Sequence, residues 1–166
     1  MKTQRTKDMQ RLMDALDLCR KCHVHQVDKC GQPYWIHPFT VGMQSFSGYG
    51  DVKSISYAIV GLLHDIPEDT KLSVDDVAAL IELTEEETAA LRLLTRIKDI
   101  PYDEYIDSII ESGNEIAMCV KSYDLLHNMN LNRFTEADIV ISDKDEKRRE
   151  KYKKAFDKLY DKMNED

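Results

Sequence analysis

Between Ile55 and Leu63 the chain is apolar on nearly every face of a helix, and a proline follows at position 67. A helix that is hydrophobic all round cannot lie at a surface, so other elements must cover it. Asp51 reads as its N-cap. Pro67 reads as its stop, with the preceding Ile66 pushed out of helical geometry. The remainder of the chain has to supply the cover.

That cover is itself helical. Met9, Leu12, Met13, Leu16 and Cys19 recur at helical spacing, which predicts an amphipathic helix over about residues 6–26. Val27–Tyr34 contains Gly31 and Pro33 and reads as a loop. Pro38 suits the first turn of a helix running to Phe46 and ending near Ser47-Gly48-Tyr49-Gly50. Ser73 caps a helix over 74–82, and Thr84 to Glu87 forms a capping box for another reaching about 96. Pro101 precedes an amphipathic run to Ser112, ended by Gly113, and Asn114 or Glu115 starts a helix ending near Met129. Ser142 caps a last, highly charged helix to Met163. The only strand signal is the short apolar stretch Ala137–Ile141. The expectation is an all-α fold of about eight helices, one domain over residues 1–166, long enough to bury a real core.

The formal charge is −8. Duplex nucleic acid demands clustered Lys and Arg, so this balance argues against it as a partner. A small phosphorylated substrate stays compatible, because one bound cation reverses the local sign of a site. The N-terminal MKTQRTKDMQRLMDALDL has no apolar signal region, and no stretch approaches a membrane span. A cytoplasmic protein is expected, with Cys19, Cys22, Cys30 and Cys119 as thiols. Cys19-Arg-Lys-Cys22-His23 spells the haem-attachment string, but it lies inside a helix without an export signal and is discounted. The alternating charges after Asp143 read as a solvated helix face and a candidate contact in a homo-oligomer.

The residues that suggest chemistry are histidines and carboxylates in unusual places. His37 precedes Pro38 at a helix start, His64 and Asp65 are adjacent where the buried helix stops, and Asp124 sits among apolar residues on another helix. Neighbours in a regular helix point about 100° apart. His64 and Asp65 therefore reach one centre only at a helix end. A carboxylate among core residues is costly unless paired or bound to a cation. Two imidazoles and two carboxylates suit Mn²⁺, Fe²⁺ or Zn²⁺.

The ordered motifs G-Q-P-Y-W-I-H-P (31–38), G-L-L-H-D-I-P-E-D-T (61–70) and V-K-S-Y-D-L-L-H-N-M (120–129) resemble the HD superfamily. More narrowly, they are similar to the (p)ppGpp hydrolase domain of Rel/Spo enzymes and their small single-domain relatives. The resemblance covers about residues 10–130. It implies the HD-domain helical fold, and metal ligation by His37, His64, Asp65 and Asp124, usually of Mn²⁺. It also implies a catalytic Glu68-Asp69 pair acting on the attacking water, and substrate contacts from Lys29, Lys121 and Asn128. Arg96 and Tyr105 resemble features of small bacterial HD proteins.

Two positions depart from that pattern. Asp28 stands where Rel/Spo hydrolases carry an arginine that packs on the guanine base, with Lys29 retained, and Leu125 follows the metal-ligand Asp where they carry another arginine. A carboxylate does not replace a guanidinium on a base or a phosphate. The expected activity is metal-dependent hydrolysis of a phosphoester or pyrophosphate, in a nucleotide, with the 3′-pyrophosphate of (p)ppGpp as the substrate the family implies. The alternative is a nucleotide-binding HD module with little turnover.

Overall fold

A computed structural model of the chain describes residues 4–47 and 54–165. Ten helical segments follow one another among the described residues: α1 (Gln4–Cys22), α2 (Ile36–Ser47), α3 (Ser54–Leu63), α4 (Ile66–Asp69), α5 (Val74–Ile81), α6 (Glu85–Leu94), α7 (Tyr102–Glu111), α8 (Glu115–Met129), α9 (Asn132–Glu136) and α10 (Asp143–Met163). The only β pairing described is an isolated antiparallel bridge between Val27 and Pro33, which closes the α1–α2 loop. The all-α expectation is borne out. The expected end of the second helix at Ser47–Gly50 and the Asp51 cap fall partly or wholly outside the described residues.

Helix α3 is the buried centre. Ala58, Ile59, Val60, Leu62 and Leu63 are all 0% exposed, and each large side chain so buried contributes about 1.5–3 kcal/mol. One side of α3 joins Ala15 of α1 with Val77 and Ile81 of α5 and Leu91 of α6. The other side meets a second cluster built from Ile106 and Ile109 of α7, Val120 and Leu125 of α8, and Leu159 of α10.

Helices α2 and α3 approach unusually closely. A Cβ on Gly61 would lie 2.7 Å from the Cα of Gly42, and one on Gly42 would lie 2.9 Å from the carbonyl oxygen of Ala58. Two glycines are therefore what lets these backbones touch.

Helix starts follow the caps. Ser73, Thr84 and Ser142 each accept from the backbone N–H of Asp76, Glu87 and Asp145, whose side chains return the bond, making three complete capping boxes. Differences from expectation have local causes. Pro67 does not simply end a helix: α3 stops at Leu63, and Pro67 lies in the first turn of α4, with Ile66 inside that helix. A first-turn proline forfeits no hydrogen bond, so it starts a turn as readily as it ends one. The apolar stretch Ala137–Ile141 is not a strand. It follows α9, where Ile139 N–H donates to Phe134 O at 2.8 Å and satisfies the backbone locally. α1 ends at Cys22 rather than 26, with a turn carrying His23 to Gln26.

Candidate metal centre

The ends of α2 and α3 and the middle of α8 meet at one point. His37 lies in the first turn of α2, His64 and Asp65 occupy the turn between α3 and α4, and Asp124 projects from α8. His37 Nε2 lies 3.2 Å from Asp124 Oδ1 and 3.5 Å from Asp65 Oδ2. His64 Nε2 lies 3.2 Å from Asp65 Oδ1 and 3.8 Å from Asp124 Oδ1. Ligand atoms of His37, His64 and Asp65 all fall within 4.8 Å of one another. His37, His64 and Asp124 are buried, and Asp65 is half-buried. The break between α3 and α4 is what allows adjacent residues to face the same centre.

A surrounding layer of bonds fixes each group. His64 Nδ1 donates to the Gly61 carbonyl at 2.7 Å, which turns Nε2 toward Asp65 and Asp124. That Nε2 is buried and has no hydrogen-bond partner. Tyr34 donates its hydroxyl to Asp65 Oδ2 at 2.8 Å. Lys121 donates to Asp124 Oδ2 at 2.8 Å, and Asn128 donates to Asp124 Oδ1 at 2.6 Å. All three partners of this strip, positions 121, 124 and 128, share one face of α8 by i, i+3 and i, i+4 spacing. His37 Nδ1 and His127 Nδ1 are 2.8 Å apart. Burial, then the neighbouring His37, pushes His127 down to about 4. A neutral His127 can accept through Nδ1 from His37 Nδ1–H, which turns the Nε2 lone pair of His37 toward the carboxylates.

The electrostatics are those of a site built around positive charge. Burial disfavours a charged His64, but Asp65 and Asp124 overcome it and raise its pKa to about 9. Burial likewise opposes ionisation of Asp124, yet Lys121, His37 and His64 hold it well below the usual carboxylate range. Lys121 resists its own burial because Asp124 and the Tyr105 and Tyr102 phenols hold it well above the ordinary lysine value. Without a metal, a proton on His64 Nε2 balances the two carboxylates; a divalent ion held by the imidazoles and carboxylates would take that proton's place, so the donor set fits a divalent ion.

The other residues singled out in sequence are placed variously. Glu68 and Asp69 lie on α4 beside the centre; Glu68 Oε1 accepts from Arg96 N–H at 2.8 Å. Burial, and to a lesser degree Asp65, raises the pKa of both carboxyls. Arg96 also spans from Ile100 O, 2.9 Å away, to the Tyr102 ring, and Tyr105 donates to Leu94 O at 2.8 Å. Lys29 is not drawn to the four: its ammonium donates to Asp145 Oδ1 at 2.7 Å. Asp28 Oδ1 accepts the backbone N–H of Cys30 and of Gln32, and its Oδ2 accepts from Arg133 Nη1 at 3.3 Å. A cavity of about 430 Å³ opens beside His37 and His127 and extends to Tyr34, Asp28 and Arg133. Leu125 points into the core at 1% exposure.

Tyr34, His127 and Arg133 were not singled out for roles in the sequence. His127 had a signal, lying three residues beyond Asp124 on α8, one helical turn away; Tyr34 lies in the turn before α2, where helical spacing gives no signal. Arg133 had none, since α9 is too short to show a period.

No family profile matches the chain. A guanosine-3′,5′-bis(diphosphate) 3′-pyrophosphohydrolase of Borreliella burgdorferi is 30% identical over 130 residues, 71% of this chain and 18% of that protein. A probable enzyme of the same name from Mycoplasma pneumoniae is 26% identical over 129 residues, 70% of this chain and 17% of that protein. The chain therefore spans under a fifth of the length of these curated relatives. A solved structure described as a metazoan ortholog of SpoT that hydrolyzes ppGpp superposes with a TM-score of 0.69 at 22% identity, covering 93% of this chain and 85% of that one. These likenesses bear out the fold and the resemblance carried by the three motifs.

Proposed function

We propose that this chain, an HD-type helical domain similar to those of the (p)ppGpp hydrolases, is a metal-dependent phosphohydrolase acting on a nucleotide. The observation that carries the reading is the Nε2 of His64, buried and unpartnered between two carboxylates while its Nδ1 is committed to Gly61. His37, His64, Asp65 and Asp124 would hold the cation, with Mn²⁺ the first choice and Fe²⁺ or Zn²⁺ also suited to two imidazoles and two carboxylates. A divalent cation there supplies Lewis acidity toward a phosphoryl oxygen and acidifies water near neutral pH.

The chain's own groups do the rest. Glu68 and Asp69, with carboxyls raised by burial and by Asp65, orient the attacking water and accept its proton as the new P–O bond forms. Lys121, kept cationic by Asp124, offsets charge on the departing phosphate as the old P–O bond breaks. Asn128 keeps Asp124 oriented through its 2.6 Å bond. Lys29 steadies the loop beside the site through Asp145. The 3′-pyrophosphate of (p)ppGpp is the substrate suggested by the relatives' names.

The test is metal analysis of the purified protein, then phosphate and diphosphate release over a nucleotide panel with Mn²⁺ and with chelator. His64→Ala and Asp65→Ala should lose metal and at least 100-fold in turnover, on the scale of losing an essential group. Undiminished activity in either variant sinks the mechanism. Tight nucleotide binding with no product would instead favour the non-catalytic binding module, a reading to which the engagement of Lys29 by Asp145 lends weight.

A further inference from the structure

His23 is buried without a complete set of partners. It follows the end of α1 and is 0% exposed. Its Nδ1 lies 2.7 Å from Gln26 Oε1, an atom that only accepts, so the proton of the neutral ring sits on Nδ1. Nε2 is then a lone pair, and it is buried with no hydrogen-bond partner. A buried acceptor left without a donor costs free energy that an incoming donor recovers. The ring packs on that of Tyr34, 5.1 Å away, whose hydroxyl donates to Asp65. His23 does not belong to the group of ligand atoms formed by His37, His64 and Asp65, so coordination of the same cation does not account for its nitrogen.

The acid with a matching deficit is Asp69. It is tied to the metal centre through its backbone N–H, 3.0 Å from Asp65 O. Its carboxylate receives no hydrogen bond from the described residues, whereas the neighbouring Glu68 is fixed by Arg96 N–H. Burial, then Asp65, raises the Asp69 carboxyl, and among the imidazoles that oppose this rise His23 acts ahead of His64 and His37. Two acceptors cannot bond each other, but one water can donate a hydrogen to each.

Resting on the phosphohydrolase reading above, we infer that His23 is a positioning residue, whose Nε2 shares one buried water with the Asp69 carboxylate and thereby aims that carboxylate. The water donates one hydrogen to the imidazole and the other to one oxygen of Asp69. The second Asp69 oxygen stays free to take the proton of the attacking water. Gln26 sets the tautomer on which the bridge depends.

The test begins with a crystal structure of the protein with Mn²⁺, in which a water should lie about 2.7–3.2 Å from His23 Nε2 and from an Asp69 oxygen. His23→Phe keeps a ring on Tyr34 and removes the nitrogen. With ppGpp, or the panel nucleotide cleaved fastest, as substrate, it should lower kcat about 10- to 100-fold, with KM and Mn²⁺ affinity within about 2-fold. His23→Gln, whose amide oxygen reaches the place of Nε2, should turn over at least about 5-fold faster than His23→Phe. Because His23 acts through Asp69, adding His23→Phe to Asp69→Asn should cost no further turnover. A site without water, a loss carried by KM or by Mn²⁺ affinity, no recovery in His23→Gln, or losses that multiply in the double variant would each overturn the assignment. If the wild type cleaves no nucleotide of the panel, the phosphohydrolase reading fails by itself. The assignment then stands if crystals of His23→Phe lose both the water and the single ordered position of Asp69, and falls if Asp69 is unmoved.

Discussion

Tyr34 reaches the centre through a single hydrogen atom. Its hydroxyl donates to Asp65 Oδ2 at 2.8 Å, while its ring lies 5.7 Å from that of His37 and 5.1 Å from that of His23. Burial, then Asp65, drives its pKa upward, so the phenol stays a donor throughout the usable pH range. Tyr34→Phe preserves the ring contacts and deletes only the bond. Manganese affinity, titrated directly, should fall by about 10- to 100-fold with helix content unchanged, as for other groups that orient a ligand. An unchanged affinity would mean that Asp65 is held by its backbone alone. The four residues expected to share a metal were legible because His and Asp stand out in apolar or helix-end contexts. His127 could have been found by its spacing from Asp124 on α8, whereas Tyr34 and Arg133 could not, because a loop tyrosine or an arginine on a five-residue helix looks ordinary in the chain. Lys29, expected from its motif position to contact substrate, has a partner that the sequence did not suggest, a carboxylate 116 residues away.

Helices α2 and α3 are joined through Gly42 and Gly61, and the contact is also a control on the site. Gly61 supplies the carbonyl that orients His64. A methyl at position 61 would meet the Gly42 Cα at 2.7 Å and its nitrogen at 3.0 Å, atoms of backbone that cannot rotate away. Gly61→Ala would gain up to about 1 kcal/mol of helix propensity, but overpacking costs about 1–3 kcal/mol. Urea unfolding should show a net loss of up to about 2 kcal/mol, together with weakened metal binding as α3 is displaced from α2. A gain in stability would refute the close-packing argument. At this scale the sequence was readable wherever a side chain caps the backbone, as at Ser73, Thr84 and Ser142. It was unreadable at α9, a five-residue helix with no side-chain cap at Leu131. Pro67 was read with the wrong sense, because a first-turn proline and a terminating one look alike until the preceding break is known.

Across the whole molecule, the α1–α2 loop is fastened to α10 by Lys29 and Asp145, with the lysine ammonium also lying 5.8 Å from the Phe134 ring centre. Asp145 closes the capping box of α10 and accepts from Arg148 as well. Lys29, then Ser142, holds the Asp145 carboxyl well below its ordinary value of 3.8. A carboxyl depressed on folding stabilises the protein fully above that ordinary value and loses the contribution as pH falls below it toward the folded value. Urea unfolding of the wild type and Asp145→Asn should therefore differ at pH 7 and converge progressively below about pH 4. A gap that persists unchanged into strong acid would show that Asp145 acts only through its cap.

The same clasp orders events during synthesis. The segment that carries Asp28 and Tyr34 and opens the cavity is made early, whereas its anchor, residue 145, emerges after α8 and α9 are complete. Contacts so distant in sequence form late because the intervening chain must first be brought to order. A nascent chain would thus assemble its four clustered His and Asp groups, all at or before position 124, before the wall beside them is fastened. The loop that walls the cavity cannot be clasped through Lys29 until α10 has begun to emerge.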